Sequence, residues 1–168
     1  LTEQIKKGVF VPEKLEAPFY FKEGTVTLHG RIDRIDTYET DDRIYVKVMD
    51  YKSGHKAFDV VSFYYGHSLQ LVLYLEQAVE KLKKENKNKE VIPAAMLYYV
   101  VSDPVVQGQK MTKEQLEEKW DKELVMKGLV NYEDDICNML DEDLKKASYS
   151  SNVISVSTNK DGNFKEDS

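Results

Sequence analysis

Residues 44–54, IYVKVMDYKSG, constrain this chain more than any other stretch of it. Ile44, Val46 and Val48 alternate with Tyr45, Lys47 and Met49, the period of a β-strand with one buried face. The buried parity then runs on through Asp50 and Lys52 before Ser53 and Gly54 break the strand. Apolar faces rarely accept a carboxylate and an ammonium group two residues apart, because each charge loses water there. The end of this strand is therefore the first place to look for chemistry.

The neighbouring sequence gives the strand a setting. Residues 1–23 hold Pro12 and Pro18 and no sustained period, which predicts an irregular or edge segment. GTVTLHGRIDRIDTYE, from Gly24, reads as a strand, TYETDDR as a turn, and a β-meander is expected over 24–52. From Asp59, a candidate cap, to Asn86 the pattern predicts one long helix, with an apolar stripe of Leu71, Tyr74, Leu75, Ala78, Val79 and Leu82. Residues 91–104, apolar on both faces, predict a central strand. Helices are expected near 112–126 and 131–146, and a weak strand in NVISVST. Strands, a long crossover helix and another strand make an α/β fold, a mixed central β-sheet flanked by helices. At 168 residues the chain is read as a single domain, 1–168, with a core over about 24–104 and a helical extension over about 105–168.

Across the predicted hairpin from Asp50 lies Asp33, in GRIDRID. Two carboxylates and one ammonium group can converge at the end of the buried face. Carboxylates packed together repel one another, and a hard divalent cation removes both the repulsion and the desolvation penalty. D-x-K at a strand end with an Asp from the next strand suits metal-assisted phosphodiester hydrolysis, with Lys52 orienting water or stabilising charge on phosphorus. Simple ion pairs, Asp50 with Lys52 and Asp33 with Arg31 or Arg34, use the same residues without any chemistry.

GRIDRID at 30–36, DYKSG at 50–54 and QLVLY at 70–74, in that order, resemble the RecB-type branch of the PD-(D/E)XK nucleases, and within it the C-terminal nuclease domains of AddB (RexB) type. LYYVVSDP at 97–104 and MKGLVNYEDDI at 126–136 extend the resemblance over most of the chain. It implies a restriction-endonuclease-like core in which Asp33 and Asp50 bind Mg²⁺ (or Mn²⁺) and Lys52 is catalytic. It further implies that Gln70 and Tyr74 face the site from the helix and that the Tyr51 carbonyl fills a metal position. Glu16, His55 and His67 are candidates on the substrate side. Asp36 and Arg34, of opposite parity to Asp33, are expected to be structural or DNA-facing. The resemblance implies a Mg²⁺-dependent exonuclease working on DNA beside an AddA-type helicase–nuclease partner, in double-strand-break processing for recombinational repair. A stand-alone RecB- or Cas4-like exonuclease, or a silent scaffold that holds DNA ends, would share the fold. The resemblance also implies an iron–sulfur cluster in a longer protein, but the one cysteine here, Cys137, sits on an apolar helix face and reads as core.

Composition limits the partners. With 41% hydrophobic and 32% charged residues the chain reads as globular, and no apolar run approaches the roughly 20 residues of a membrane span, so no membrane partner is expected. A lone cysteine fits a reducing, cytoplasmic setting. The net charge of −6 is unlike that of a free-standing DNA-binding domain, whose affinity comes largely from basic contacts to phosphate. If this chain handles DNA, bound cations or a partner must neutralise the phosphates. No G-x-x-x-x-G-K-[ST] phosphate loop is present, so ATP hydrolysis would belong elsewhere. The lack of an initiator Met and the polar last residues suggest a piece of something longer.

Overall fold

The computed structural model describes residues 6–53, 59–66, 69–101, 112–115, 124–133 and 136–165. Five strands form one sheet in chain order: β1 (Val11–Glu23), β2 (Val26–Glu39), β3 (Arg43–Lys52), β4 (Glu90–Val100) and β5 (Lys127–Val130). Every neighbouring pair is antiparallel except β3–β4, which is parallel. A parallel neighbour needs a crossover, and helix α2 (Gln70–Glu85) lies within it, preceded by the short helix α1 (Val60–Tyr64). Beyond β5 come α3 (Ile136–Leu140) and a 3₁₀ turn, Glu142–Lys145. Among the described residues no helix is long and apolar enough to cross a membrane.

Strand β3 is buried on both faces, not on one. Ile44, Val46 and Val48 pack with Leu71, Ala78 and Leu82 of α2. Tyr45 and Met49 face the other way, against Phe10, Leu97, Ile136, Leu140 and Ile154. The period-2 reading missed the second face because Lys47 stands on it. Lys47 is 3% exposed and pairs with Asp36 at 3.0 Å, directly opposite in the β2–β3 register. Asp36, fully buried, also accepts two hydrogen bonds from the Arg34 guanidinium, at 2.6 and 2.8 Å. The Lys47 ammonium lies 5.1 Å from the Phe10 ring centroid. Burial lowers the pKa of Lys47 against the pull of Asp36. Arg34 and Asp36 are thus structural, one of the two roles their parity allows.

Several local readings are corrected. Residues 11–23 take the edge alternative of the sequence reading, not the irregular one, as a full strand paired with β2 from Val11↔Thr37 to Glu23↔Val26. The single helix over 59–86 is two helices. Asp59 does cap the first, accepting from Val61 N at 3.0 Å, but Gly66 then takes φ +79°, a left-handed conformation that ends a helix. Asn86 closes α2 as expected, with its amide nitrogen bonded to Leu82 O. Pro93 sits inside β4, where the ladder shifts register opposite Val46/Lys47 and absorbs the missing donor. The helix expected near 112–126 lies mostly outside the described residues; its last residue, Met126, bridges Ile154, and strand β5 fills 127–130, between the two expected helices. The helix expected over 131–146 is interrupted at Asp141, whose carboxylate caps the 3₁₀ turn through Asp143 N. NVISVST makes only isolated bridges, such as Met126↔Ile154 and Ser150↔Ser157.

Two outcomes test this packing. Asp36→Ala strands two buried cations and is expected to lower unfolding free energy by roughly 3–5 kcal/mol. Lys47→Met keeps the two-pronged Arg34–Asp36 pair and should lose less than half as much. Urea unfolding of both variants gives the comparison, and equal losses would contradict it. At Gly128 an added Cβ would fall 2.1 Å from Met96 O, in the backbone of β4. Gly128→Ala should therefore strip hydrogen-exchange protection from β5 while sparing the β2–β3 ladder.

Candidate active site

The site begins where β3 runs out of its β2 partner. The β2–β3 ladder ends at Arg34↔Met49, and the next residues along the two strands are Asp33 and Asp50. In place of a backbone carbonyl, the Asp33 carboxylate accepts from the Tyr51 amide at 2.7 Å. On its other side β3 stays paired with β4 to the end, through Asp50↔Tyr98 and Lys52↔Val100, and Val101 N donates to Lys52 O at 2.9 Å. The last three residues of β3 are thus clamped between a side chain and a strand, and side-chain alternation brings Asp50 to the α2 face.

Asp50 is 3% exposed. Its Oδ2 is buried and in direct ion contact with the Lys52 ammonium. Burial pushes the Asp50 carboxyl up from its ordinary range; Lys52 opposes the shift and the nearby Asp33 charge adds to it. Burial pulls Lys52 down, but Asp50 outweighs it and the ammonium is held above its usual value. Among the described residues, that ammonium is met by the Asp50 carboxylate, by Gln70 Oε1 at 3.4 Å, and by the Tyr98 ring, with its centroid at 5.2 Å.

Helix α2 supplies the second layer. Gln70 and Tyr74 are one turn apart, and Gln70 Nε2 donates to the Tyr74 hydroxyl at 2.8 Å. Tyr74 meets Phe19 of β1 edge-on, with ring centroids 5.2 Å apart. A Cβ at Gly30 would stand 3.7 Å from the Tyr74 hydroxyl, so the glycine of GRID leaves that oxygen room. One continuous set of contacts therefore joins Asp33, Asp50, Lys52, Gln70 and Tyr74, the residues singled out from sequence. Tyr51 joins through its backbone amide; its ring turns edge-on to Tyr99, 6.0 Å away.

Of the other three candidates, Glu16 lies within the described residues. Glu16 stands between the Leu15↔Arg34 and Ala17↔Ile32 pairs, in the row of Asp33, with φ +50°. Its carboxylate is 63% exposed and lies 3.8 Å from Arg31. His55 and His67 lie outside the described residues. Cys137 is buried among apolar residues, and a lone packed thiol gives an iron–sulfur cluster no support in this chain. Sequence reasoning misses Tyr98: its strand reads as uniformly apolar, and only the β3–β4 register reveals the ring beside Lys52.

The donor chemistry suits a hard cation. Asp33 and Asp50 offer carboxylate oxygens, and the buried Oδ2 of Asp50 is paired with the end of a flexible lysine, a partner that a cation can replace. Among the described residues no group of three His, Cys, Asp or Glu side chains converges, and Asp33 and Asp50 are the two candidate ligands in place.

Comparison with known proteins agrees with this geometry. The chain is similar to proteins named as the B component of an ATP-dependent helicase/deoxyribonuclease. It is 42% identical to that of Lachnoclostridium phytofermentans over 98% of this chain and 14% of the relative. It is 37% identical to that of Clostridium acetobutylicum over 96% of this chain and 15% of the relative. For Alkaliphilus oremlandii the identity is 36%, over all of this chain and 15% of the relative. The chain therefore spans only about one-seventh of the length of these relatives. The sequence pattern of the PD-(D/E)XK nuclease superfamily matches residues 1–150. With that much of its length matched, and with a mixed five-stranded sheet carrying the motif residues at one end, the chain belongs to the PD-(D/E)XK nuclease superfamily.

Proposed function

We propose that this chain is the nuclease domain of the B component of an ATP-dependent helicase–deoxyribonuclease, and that it hydrolyses phosphodiester bonds of DNA with Mg²⁺ or Mn²⁺. The observation that carries the reading is the Asp50 carboxylate: buried, paired at Oδ2 with a partly exposed lysine, and beside a second carboxylate whose charge works against its own. A structural ion pair gains nothing from that arrangement, whereas a cation site does.

Asp33 and Asp50 would hold the cation at the end of β3, and the Tyr51 carbonyl is a further candidate ligand. When bound, such a cation polarises a phosphoryl oxygen and makes water more acidic. Lys52 then donates hydrogen bonds to the attacking water or to the phosphoryl oxygen on which negative charge grows. Water oxygen bonds to phosphorus, the bond from phosphorus to the leaving sugar oxygen breaks, and that oxygen departs with a proton. Gln70, tied to Tyr74, accepts a long hydrogen bond from the Lys52 ammonium. The relatives' names support a DNA substrate and work within a larger assembly. An AddA-type partner, exonuclease action and a place in recombinational repair complete the proposal. The intact Asp33–Asp50–Lys52 set favours it over a silent scaffold.

The test uses the full-length protein assembled with its partner. Asp50→Asn should lower strand cleavage by orders of magnitude and leave ATP hydrolysis near its original rate. Lys52→Ala should lower cleavage roughly 100-fold or more, the scale for loss of a charge-stabilising donor. An Asp50→Asn protein that cuts normally in Mg²⁺ would end the nuclease reading. The same substitution has an expected signature in stability. Burial disfavours ionised Asp50, so the neutral Asn should leave the denaturant midpoint of this domain unchanged or raise it. A lower midpoint would contradict this.

A further inference from the structure

Among the described residues, the Lys52 ammonium is met by the Asp50 carboxylate, Gln70 Oε1 and the Tyr98 ring. If Asp50 engages a cation, its Oδ2 is no longer free to hold the ammonium. Gln70 Oε1, at 3.4 Å, makes a long and weak contact. The remaining neighbour is the Tyr98 ring, whose centroid lies 5.2 Å from Lys52 Nζ, inside the range of cation–π attraction. The fold fixes where that ring stands. Tyr98 is the β4 partner of Asp50 in the parallel ladder, and its side chain packs against the core cluster of Val48, Leu71 and Tyr74. The ring is thus held by the sheet and by α2, while the lysine it faces has a flexible four-carbon stem and a side chain 30% exposed.

We propose that Tyr98 is a positioning residue for Lys52: the face of its ring keeps the ammonium at the end of β3 when Asp50 is committed to a cation. The inference rests on the nuclease reading for its catalytic consequence, but the Lys52–Tyr98 contact itself does not. A flexible ammonium that loses its carboxylate partner would otherwise move into solvent, away from the phosphate. The aromatic face holds it by electrostatic attraction without accepting its proton, so every N–H remains available to water or phosphate.

The experiment compares Tyr98→Leu, which removes the ring, with Tyr98→Phe, which keeps it, in the full-length protein with its partner. Tyr98→Leu should slow single-turnover cleavage about 3- to 30-fold, the range of a cation–π contact, with little change in KM for DNA. Tyr98→Phe should recover most of that loss. On a Lys52→Ala background Tyr98→Leu should have no further effect, which a general structural role would not produce. A second readout needs neither metal nor cleavage, because it is taken on an Asp50→Asn background, which removes the carboxylate that otherwise holds the ammonium. Labelling of Lys52 by an amine-reactive reagent, read by peptide mass spectrometry, should speed up in Tyr98→Leu and stay near the original rate in Tyr98→Phe. Equal loss in the Leu and Phe variants, additive loss on the Lys52→Ala background, or no labelling contrast would overturn the inference. If Asp50→Asn and Lys52→Ala still cut DNA, the nuclease reading fails instead, and the labelling contrast alone decides the contact.

Discussion

A fully buried carboxylate, Asp36, holds two buried cations on the back of the sheet, and the front of the sheet depends on it. Arg34 and Asp36 belong to β2 and Lys47 to β3, so the cluster ties the two strands together at one register. A one-residue slip would turn every side chain of a strand to the other face. Here it would place unpaired charge in an apolar core, which costs several kcal/mol in proteins. The same register sets Asp33 beside Asp50 on the opposite side. Charge buried on one face thus fixes the position of charge on the other.

The two clusters solve the desolvation problem differently. Asp36 is saturated, with both oxygens bonded to cationic donors. Asp50 is nearly as buried but is paired with a partly exposed lysine, close enough to Asp33 for its charge to be felt. The first cluster is closed and rigid; the second is incomplete within the chain. Sites that bind and react are commonly left short of their best stability in this way. The parallel β3–β4 pair contributes as well, since it carries β4 past the end of the β2 ladder and brings Tyr98 alongside Lys52.

Much of the site is legible in the sequence because it depends on local parity and spacing. Asp50 and Lys52 follow Val48 on alternate positions, and Gln70 and Tyr74 are one helical turn apart. What depends on register between strands distant in sequence is not legible. Lys47 looks like a solvated residue on a half-buried strand because its partner, Asp36, lies across a hairpin. Tyr98 looks like core because its relation to Lys52 exists only once β3 and β4 are aligned. Residues 11–23 hide a strand behind two prolines, which an edge strand tolerates. Gly66 stands out in the sequence, but a helix with one glycine and a helix broken at one glycine read alike; the choice is made by the left-handed φ. The C-terminal segment misleads for the same reason at Asp141, where capping stops a helical pattern that composition alone would continue.

The central claim is that the β2–β3 register brings Asp33 and Asp50 to one cation. The most direct measurement is an anomalous-difference map from crystals of the protein soaked in Mn²⁺. The account predicts a single strong peak at the end of β3, within coordination distance of carboxylate oxygens of both Asp33 and Asp50, and Lys52 Nζ no longer in contact with Asp50 Oδ2. A peak bound by only one of the two carboxylates, or no peak there at Mn²⁺ concentrations that support cleavage, would contradict it.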